Sequence, residues 1–355
     1  MSSMFGEHVR LSLFGQSHGE AVGCVLDGLP AGEAVDMDAL RAFLQRRAPG
    51  GAYATRRKEA DEPEIVSGLV DGRTCGAPLC ALIRNTDTHS KDYEALRDMP
   101  RPGHADYPAQ VKYGGYQDVR GGGHFSARVT AAMCAAGGIL LQLLSRRGVT
   151  VGAHLLSVGA VTDARFDPLA VSPDDLLRAQ AGFPTLSEDA AANMQALITE
   201  IRARKDSVGG VVECAVLGLP VGLGEPMFGG LENVIAQAVF AIPAVKGVEF
   251  GDGFAAAEMT GSQHNDPYEW RDGQPKTQSN HAGGILGGLT DGAPLFFRAA
   301  FKPTPSIAQA QHTVSYSARR DAILEITGRH DPCVAVRAVP VVEAAAALAI
   351  AQFLL

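Results

Sequence analysis

A chain of 355 residues, 46% hydrophobic and 20% charged, has apolar material for a large core and belongs among globular soluble proteins rather than disordered or fibrous ones. Its net charge of -8 works against nucleic acid or an anionic membrane as partner, yet 24 of its 31 basic residues are arginines, gathered in Gly-rich loops, which suits a small anionic ligand. Six cysteines without a C-x-x-C pair argue against a disulfide framework or a zinc site, so a reducing, cytoplasmic compartment is expected.

The chain opens with HVRLSLFGQSHGEAVGCVLDGLPAG, a strand-like run, a polar loop from Gly15 to Glu20, a second apolar run and a Gly/Pro turn. His18 is thereby placed at a strand end beside Ser17, with glycines that allow close approach of a ligand. Asp36 or Asp38 caps a short helix that ends in Arg46 and Arg47 before Pro49. Two apolar segments between Ile65 and Ile83 flank DGRTCG and read as paired strands, followed by a polar crossing to Gly103.

Arg101 to Arg128, RPGHADYPAQVKYGGYQDVRGGGHFSAR, holds His104, His124 and three consecutive glycines, Gly121 to Gly123. An apolar helix follows, with Ser126 where its N-cap belongs. A glycine run feeding a capped helix start aims several backbone N–H groups at one spot, with the positive end of the helix dipole behind them. Such a spot binds an anion, and a negative ligand accounts for Arg128 in a first turn where the dipole disfavours it.

A strand from Val149 then leads to one helix capped by Ser172 with Pro173 in its first turn, and to a longer helix capped by Ser187. A further strand and an apolar helix from Leu231 to Ala241 come next. The polar run from Gly261 to Gly283 lacks periodicity, contains the only tryptophan, and predicts a long loop acting as a lid. A strand from Leu295 to Phe301, KPTPSI and more strand signals follow, and Val339 to Leu355 reads as a buried helix, short for a membrane span, with Pro340 near its first turn. No internal repeat or interdomain linker interrupts the chain.

His18, His104, His124, His281 and His330 all lie in Gly- or Pro-bounded loops, without the H-E-x-x-H or H-x-H spacing of a metal site, so acid–base or phosphate-contact roles fit better than metal. Asp331, taken alone, reads as the cap of the last helix. RGGGHFS also imitates a dinucleotide fingerprint, but the segment before it is polar and no strand-turn-helix-strand unit follows.

In chain order, GQSHGEAVG, RRAPG, RPGHAD, RGGGHFSAR, AVKGVEFGDGF, SNHAGGILGG, KPTPSI and GRHDPCVAVRAVP resemble chorismate synthase along essentially the whole chain. The resemblance implies one domain over residues 1–355 with an α+β fold: a single-domain β-α-β sandwich with antiparallel sheets around a helical core, assembled as a homotetramer. It implies a lyase of the shikimate pathway that converts 5-enolpyruvylshikimate 3-phosphate to chorismate and phosphate by anti-1,4-elimination. Reduced FMN is required without net redox change, because a side-chain base is poorly matched to an unactivated hydrogen and the cofactor carries the hard step. The association extends to NADP, although the residues show no convincing nicotinamide site.

By the same resemblance His18 with Ser17 protonates the departing phosphate, His104 protonates or hydrogen-bonds the reduced flavin, and Asp331 with Ser126 serves a proton relay. Arg47, Arg101, Arg128 and Arg329 clamp the substrate's phosphate and carboxylates. FMN rests on His124, Phe125 and Ser126, with Pro243, Ala244, Gly287, Lys302, Pro303, Thr304, Pro305, Ser306 and Arg329 around it, and no metal is implied.

Three positions depart from the usual pattern. Gln16 stands where the opening motif carries an acid, His124 and Phe125 stand where a basic and a hydroxyl flavin contact are usual, and a second arginine after RR-x-PG has no clear match beyond Tyr53 or Arg56. The competing readings are a flavin reductase, which needs the missing nicotinamide site, and an anion-binding module, which has no use for histidines paired with loop serines.

Overall fold

The computed structural model describes residues 3–49, 53, 59–87, 90–326 and 330–355. Strands β1 (Met4–Phe5), β2 (Arg10–Gly15), β3 (Ala21–Asp27) and β4 (Pro63–Ser67) precede a two-residue pair, β5 (Leu69–Val70) and β6 (Arg73–Thr74), and then β7 (Leu79–Arg84). They build an antiparallel sheet in the order β1-β2-β3-β7-β4. Leu11, Val22, Cys24, Leu26, Leu79, Ala81 and Ile83 are buried, so alternation along each strand fixes one face against the core. The β2–β3 register, Gly15 opposite Val22, leaves Ser17 and His18 in the hairpin loop.

The second sheet uses β8 (Thr150–Val158), β9 (Val161–Thr162), β10 (Gly210–Leu217) and β11 (Val245–Phe250). Two small hairpins intervene, β12 (Tyr268–Arg271) with β13 (Gln274–Thr277) and β14 (Ile285–Leu286) with β15 (Leu289–Thr290), before β16 (Leu295–Phe301) completes it in the order β11-β16-β10-β8-β9. A last hairpin pairs β17 (Gln311–Ser315) with β18 (Arg320–Leu324).

Between the sheets lie α1 (Met37–Arg47), α3 (Thr130–Ser145), α6 (Leu231–Phe240) and α8 (Ala335–Leu354), while α2 (Asp106–Tyr113), α4 (Pro173–Gln180), α5 (Glu188–Ala203) and α7 (Gly261–His264) lie outside that layer. Helix α3 packs on β3, α1 and α8, and α8 packs on α6, β8 and β10, which gives the expected α+β sandwich. Every side chain from Ala338 to Gln352 is buried, and a helix apolar all round belongs inside a core. By length and apolarity α3 with its leading turn and α8 each suffice to cross a membrane, but 83% of each is buried within the fold. Glu343 of α8 receives Arg46 at 2.6 and 2.7 Å and the Ala153 amide at 2.9 Å, so one buried carboxylate ties α1, α8 and the second sheet together.

Asp36, Ser172 and Ser187 cap α1, α4 and α5 as their positions dictate, Ser172 in a full capping box with Asp175. Three expectations are corrected. Helix α8 starts at Ala335, so Pro340 lies inside it rather than in its first turn, and its N-cap is Val334 rather than Asp331. The polar run from Gly261 is not a long loop. Asp272 and Gly273, at φ 54° and 76°, turn the β12–β13 hairpin, and Asp266 accepts from Ser279 Oγ and from the His281 and Ala282 amides to close its base. With those bonds in place the ordering entropy that would favour a mobile lid is already offset. Finally, the loop that holds His104 is closed by a helix absent from the sequence reading, since Asp106–Tyr113 is helical and Gly114 at φ 60° terminates it.

Candidate active site

Four loops converge on one stretch of backbone. Ser17 donates its amide to Gly123 O at 3.1 Å, docking the β2–β3 loop on the glycine run. His18 is buried, with Nδ1 3.2 Å from Ser17 Oγ. Gly121 adopts φ 59°, and a Cβ there would stand 2.3 Å from His18 Nδ1 and 2.6 Å from Ser17 Oγ. Gly122, at φ 87°, turns its other flank to His104, where a Cβ would lie 3.0 Å from Nε2. Consecutive glycines therefore pass between two imidazoles that are 86 positions apart in sequence.

His104 is held from behind. Its Nδ1 lies 2.6 Å from Asp106 Oδ1, and Asp106 also receives the amide, Nε and Nη2 of Arg101 at 3.0, 2.7 and 2.8 Å. Burial lowers the His104 pKa, the Asp106 hydrogen bond opposes this, and the charges of Arg101 and Lys302 leave it net below the ordinary value. Burial pushes Asp106 the other way, but hydrogen bonds from Arg101 and His104 hold it far below the usual carboxylate range. Arg101 Nη1 donates to Ser306 Oγ at 3.2 Å and Lys302 Nζ to Gly103 O at 3.0 Å, which fixes the KPTPSI loop against the same site. Lys302 N bonds Ala244 O at 2.9 Å, bringing Pro243 and Ala244 alongside, and Pro305 lies within 3.5 Å of a Cβ built on Gly103.

Arg47 and Arg128, both buried, share the carboxylate of Asp61. Arg47 otherwise donates to Thr130 Oγ1 and Ala127 O, and Arg128 to Asn85 Oδ1 at 2.8 Å and Arg84 O at 3.2 Å, so every guanidinium nitrogen of the pair has a protein partner. Glu59 lies 3.5 Å from Arg128. Asp331 meets Arg337 at 2.7 Å, and Arg337 donates to Arg47 O at 2.8 Å. Sequence reasoning missed Asp61, Glu59, Asp106 and Arg337. Arg337 and Asp106 stand inside motifs already singled out, whereas the E-x-D spacing of Glu59 and Asp61 carries no signal of its own.

Ser126 accepts the Arg128 amide at 3.3 Å, capping a 3-10 turn (Ala127–Val129) that runs into α3 rather than α3 itself. His124 turns away, with Nε2 2.8 Å from Ser3 Oγ and Nδ1 2.9 Å from Gly15 O, and Phe125 is partly exposed beside Tyr113. The Thr304 carbonyl accepts Ser207 Oγ at 2.6 Å, and Val208 N meets Pro332 O at 2.8 Å, so the loops carrying Pro303, Thr304 and Asp331 share one support. Gly287 is not brought to this site by its own chain. It turns the β14–β15 hairpin at the Leu295 end of β16, about 20 Å of strand from Lys302. Arg329 and Arg56 lie outside the described residues, and Tyr53 makes an edge contact with Phe183.

Paired imidazoles on a glycine cradle, backed by buried arginines inside a β-α-β sandwich, are groups that suit an enzyme site able to move protons beside an anion. Residues 9–355 match the chorismate synthase family. The chain is 46% identical to the chorismate synthase of Lancefieldella parvula over 99% of its own length and 95% of that protein, and 48% identical to that of Thermococcus kodakarensis over 99% and 97%. A crystal structure of a chorismate synthase superposes with TM-score 0.77 at 28% identity, covering 98% of this chain and 92% of that one. The chain belongs to the chorismate synthase family and is a carbon–oxygen lyase that forms chorismate.

Proposed function

We propose that this chain eliminates phosphate from 5-enolpyruvylshikimate 3-phosphate with reduced FMN in the cleft around Gly121 and Gly122. The observation that carries the reading is the placement of His18 and His104 on opposite flanks of that glycine pair. The residues fit a flavin mononucleotide: Thr304 Oγ1 is buried without a hydrogen-bond partner among the described residues, and the Lys302 ammonium stands beside it in sequence as an anion contact. When bound, reduced FMN supplies the electron that expels phosphate from the allylic system and regains it as the hydrogen leaves.

The chain's own residues do the rest. His18 with Ser17 delivers a proton to the leaving phosphate, and His104 holds a proton or hydrogen bond at the flavin edge. Asp331 with Ser126 serves a proton relay near the flavin's reactive nitrogen, Asp331 being held in place by Arg337. Lys302, Pro303, Thr304, Pro305, Ser306, Pro243, Ala244 and Phe125 surround the cofactor, and His124, whose ring is engaged by Ser3 and Gly15, contributes its backbone. Arg47, Arg101, Arg128 and Arg329 draw the substrate's phosphate and carboxylates, and at Arg47 and Arg128 a substrate carboxylate takes the place of Asp61. The negative net charge supports a small-molecule partner rather than nucleic acid or membrane, and the free cysteines suit the cytoplasm.

Phosphate release under anaerobic conditions, with and without reduced FMN, tests the reading. Many turnovers per flavin are expected, and equal release with oxidised FMN or none would refute it. Assembly as a homotetramer is supported by one apolar lobe, in which Val221, Met227, Phe228, Leu286 and Leu289 are exposed around the Gly224–Leu289 bridge. Phe228, 91% exposed, has no reason to be aromatic in a monomer. Phe228→Asp should shift the mass measured by light scattering to smaller species, and an unchanged mass would remove this lobe from the interface.

A further inference from the structure

Four donors crowd the Asp106 carboxylate, three from Arg101 and one from His104. Arg101 Nη2 stands 3.1 Å from His104 Nδ1, a contact that by itself suits a deprotonated Nδ1. Asp106 Oδ1 decides otherwise, because it lies 2.6 Å from the same nitrogen and 2.8 Å from Arg101 Nη2. A bare Nδ1 lone pair facing an ionised oxygen at that distance is repulsive, whereas two N–H groups converging on one carboxylate oxygen is a satisfied arrangement. The 3.1 Å approach then follows from both donors reaching the same acceptor.

We propose that Asp106 is a positioning residue that fixes His104 as the Nδ1–H tautomer, so that the free Nε2 lone pair faces the backbone of Gly122 and whatever ligand the glycine run cradles. Arg101 holds Asp106 in turn through its amide and two guanidinium nitrogens. The motif R-P-G-H-A-D thus encodes a cation, an imidazole and a carboxylate within six residues, and the start of α2 supplies the geometry: Asp106 is its first helical residue. The inference rests on His104 serving the reaction proposed above, but the tautomer belongs to the chain itself.

Groups facing this imidazole come from each element around it: Asp106 on α2, Arg101 before it, and Lys302 beyond β16, with His18 across the glycines and Asp118 beside His18 rather than His104. In Asp106→Asn the amide oxygen takes the Oδ2 place, where it accepts the Arg101 amide and Nε, and the amide N–H₂ takes the Oδ1 place, where it faces His104 Nδ1 and Arg101 Nη2. The tautomer must then reverse. Losing the Asp106 bond while Arg101 and Lys302 remain also moves His104 to still lower pKa, so the acidic limb of the kcat profile should shift to lower pH.

Solid-state NMR of 15N-histidine-labelled protein without flavin, with the His104 signals assigned by their loss in His104→Gln, reads the tautomer directly. Nδ1–H is expected in the unaltered protein at neutral pH and Nε2–H in Asp106→Asn. Turnover should fall roughly 10- to 100-fold at unchanged KM, with partial recovery in Asp106→Glu. An Nε2–H signal in the unaltered protein overturns the proposal, as does an unchanged tautomer in Asp106→Asn. Should that variant not fold, the spectrum of the unaltered protein still decides. Because no flavin or substrate is present, a failure here is distinct from absence of phosphate release.

Discussion

Gly121→Ala is expected to lower kcat by about 10²-fold or more while the protein stays folded. Two effects act at this position, and they differ in size. The left-handed backbone at φ 59° costs an L-residue roughly 1–2 kcal/mol, which a domain of this size tolerates. The methyl group is the larger problem, since it would stand 2.3 Å from His18 Nδ1 and 2.6 Å from Ser17 Oγ, neither of which is the far end of a flexible chain. His18 is buried at the tip of a hairpin whose loop is bonded to Gly123, so the ring has to leave its position. Gly273→Ala provides the control: its φ is 76° but nothing lies within 4 Å of the added carbon, so it carries the backbone cost without the collision. Steady-state kinetics on both variants should show the loss at position 121 alone. Equal activities would mean that His18 does not need its observed place.

The capped helices were legible because their signals are local. Asp36, Ser172 and Ser187 each precede an amphipathic run, and a side-chain oxygen there satisfies N–H groups whatever the rest of the chain does. The β12–β13 hairpin was equally local, with Asp272-Gly273 between YEWR and QPKT, but polar strands on a surface hairpin give no alternation to read. The start of α8 was misplaced for a different reason. Pro340 suggests a first turn, yet a core helix wrapped by α3, α6 and β8 accommodates it one turn further in.

Within the site, residues that approach the glycine run could be read from the run itself, because three glycines in a row signal that something must come close. Their supports could not. Asp61 reaches Arg47 and Arg128 only because β4 lies beside β7 and places residue 61 near the end of β7 at Arg84 and Asn85. That proximity is a property of strand order. Gly287 shows the converse, a residue assigned to the cofactor by motif whose place at the other end of β16 is set by strand length, which no local signal reveals.

Asp61→Ala is expected to reduce unfolding free energy by roughly 3–5 kcal/mol, the cost of leaving a buried charge without its partner. Here one carboxylate serves two guanidiniums, Arg47 and Arg128, each buried and each fixed by further bonds to Thr130, Ala127, Asn85 and Arg84. Neither can swing to water without breaking those contacts. Burial alone would raise the Asp61 pKa, but the charges of Arg47 and Arg128 outweigh it and leave it below the ordinary value. A depressed carboxylate stabilises the fold above its unfolded pKa, and that contribution is lost as pH falls through the folded one. The gap between variant and unaltered protein should therefore be full at pH 7 and narrow only in acid, below the ordinary carboxylate range of about 4. If Arg47 and Arg128 also receive substrate carboxylate or phosphate in place of Asp61, added inorganic phosphate should restore part of the lost stability in Asp61→Ala and much less in the unaltered protein. Urea unfolding at pH 7, with and without phosphate, measures both. A loss below about 1 kcal/mol would place the pair among weak surface ion pairs, and a loss that phosphate leaves untouched would make the two arginines a structural clamp on the start of α3 rather than a binding site.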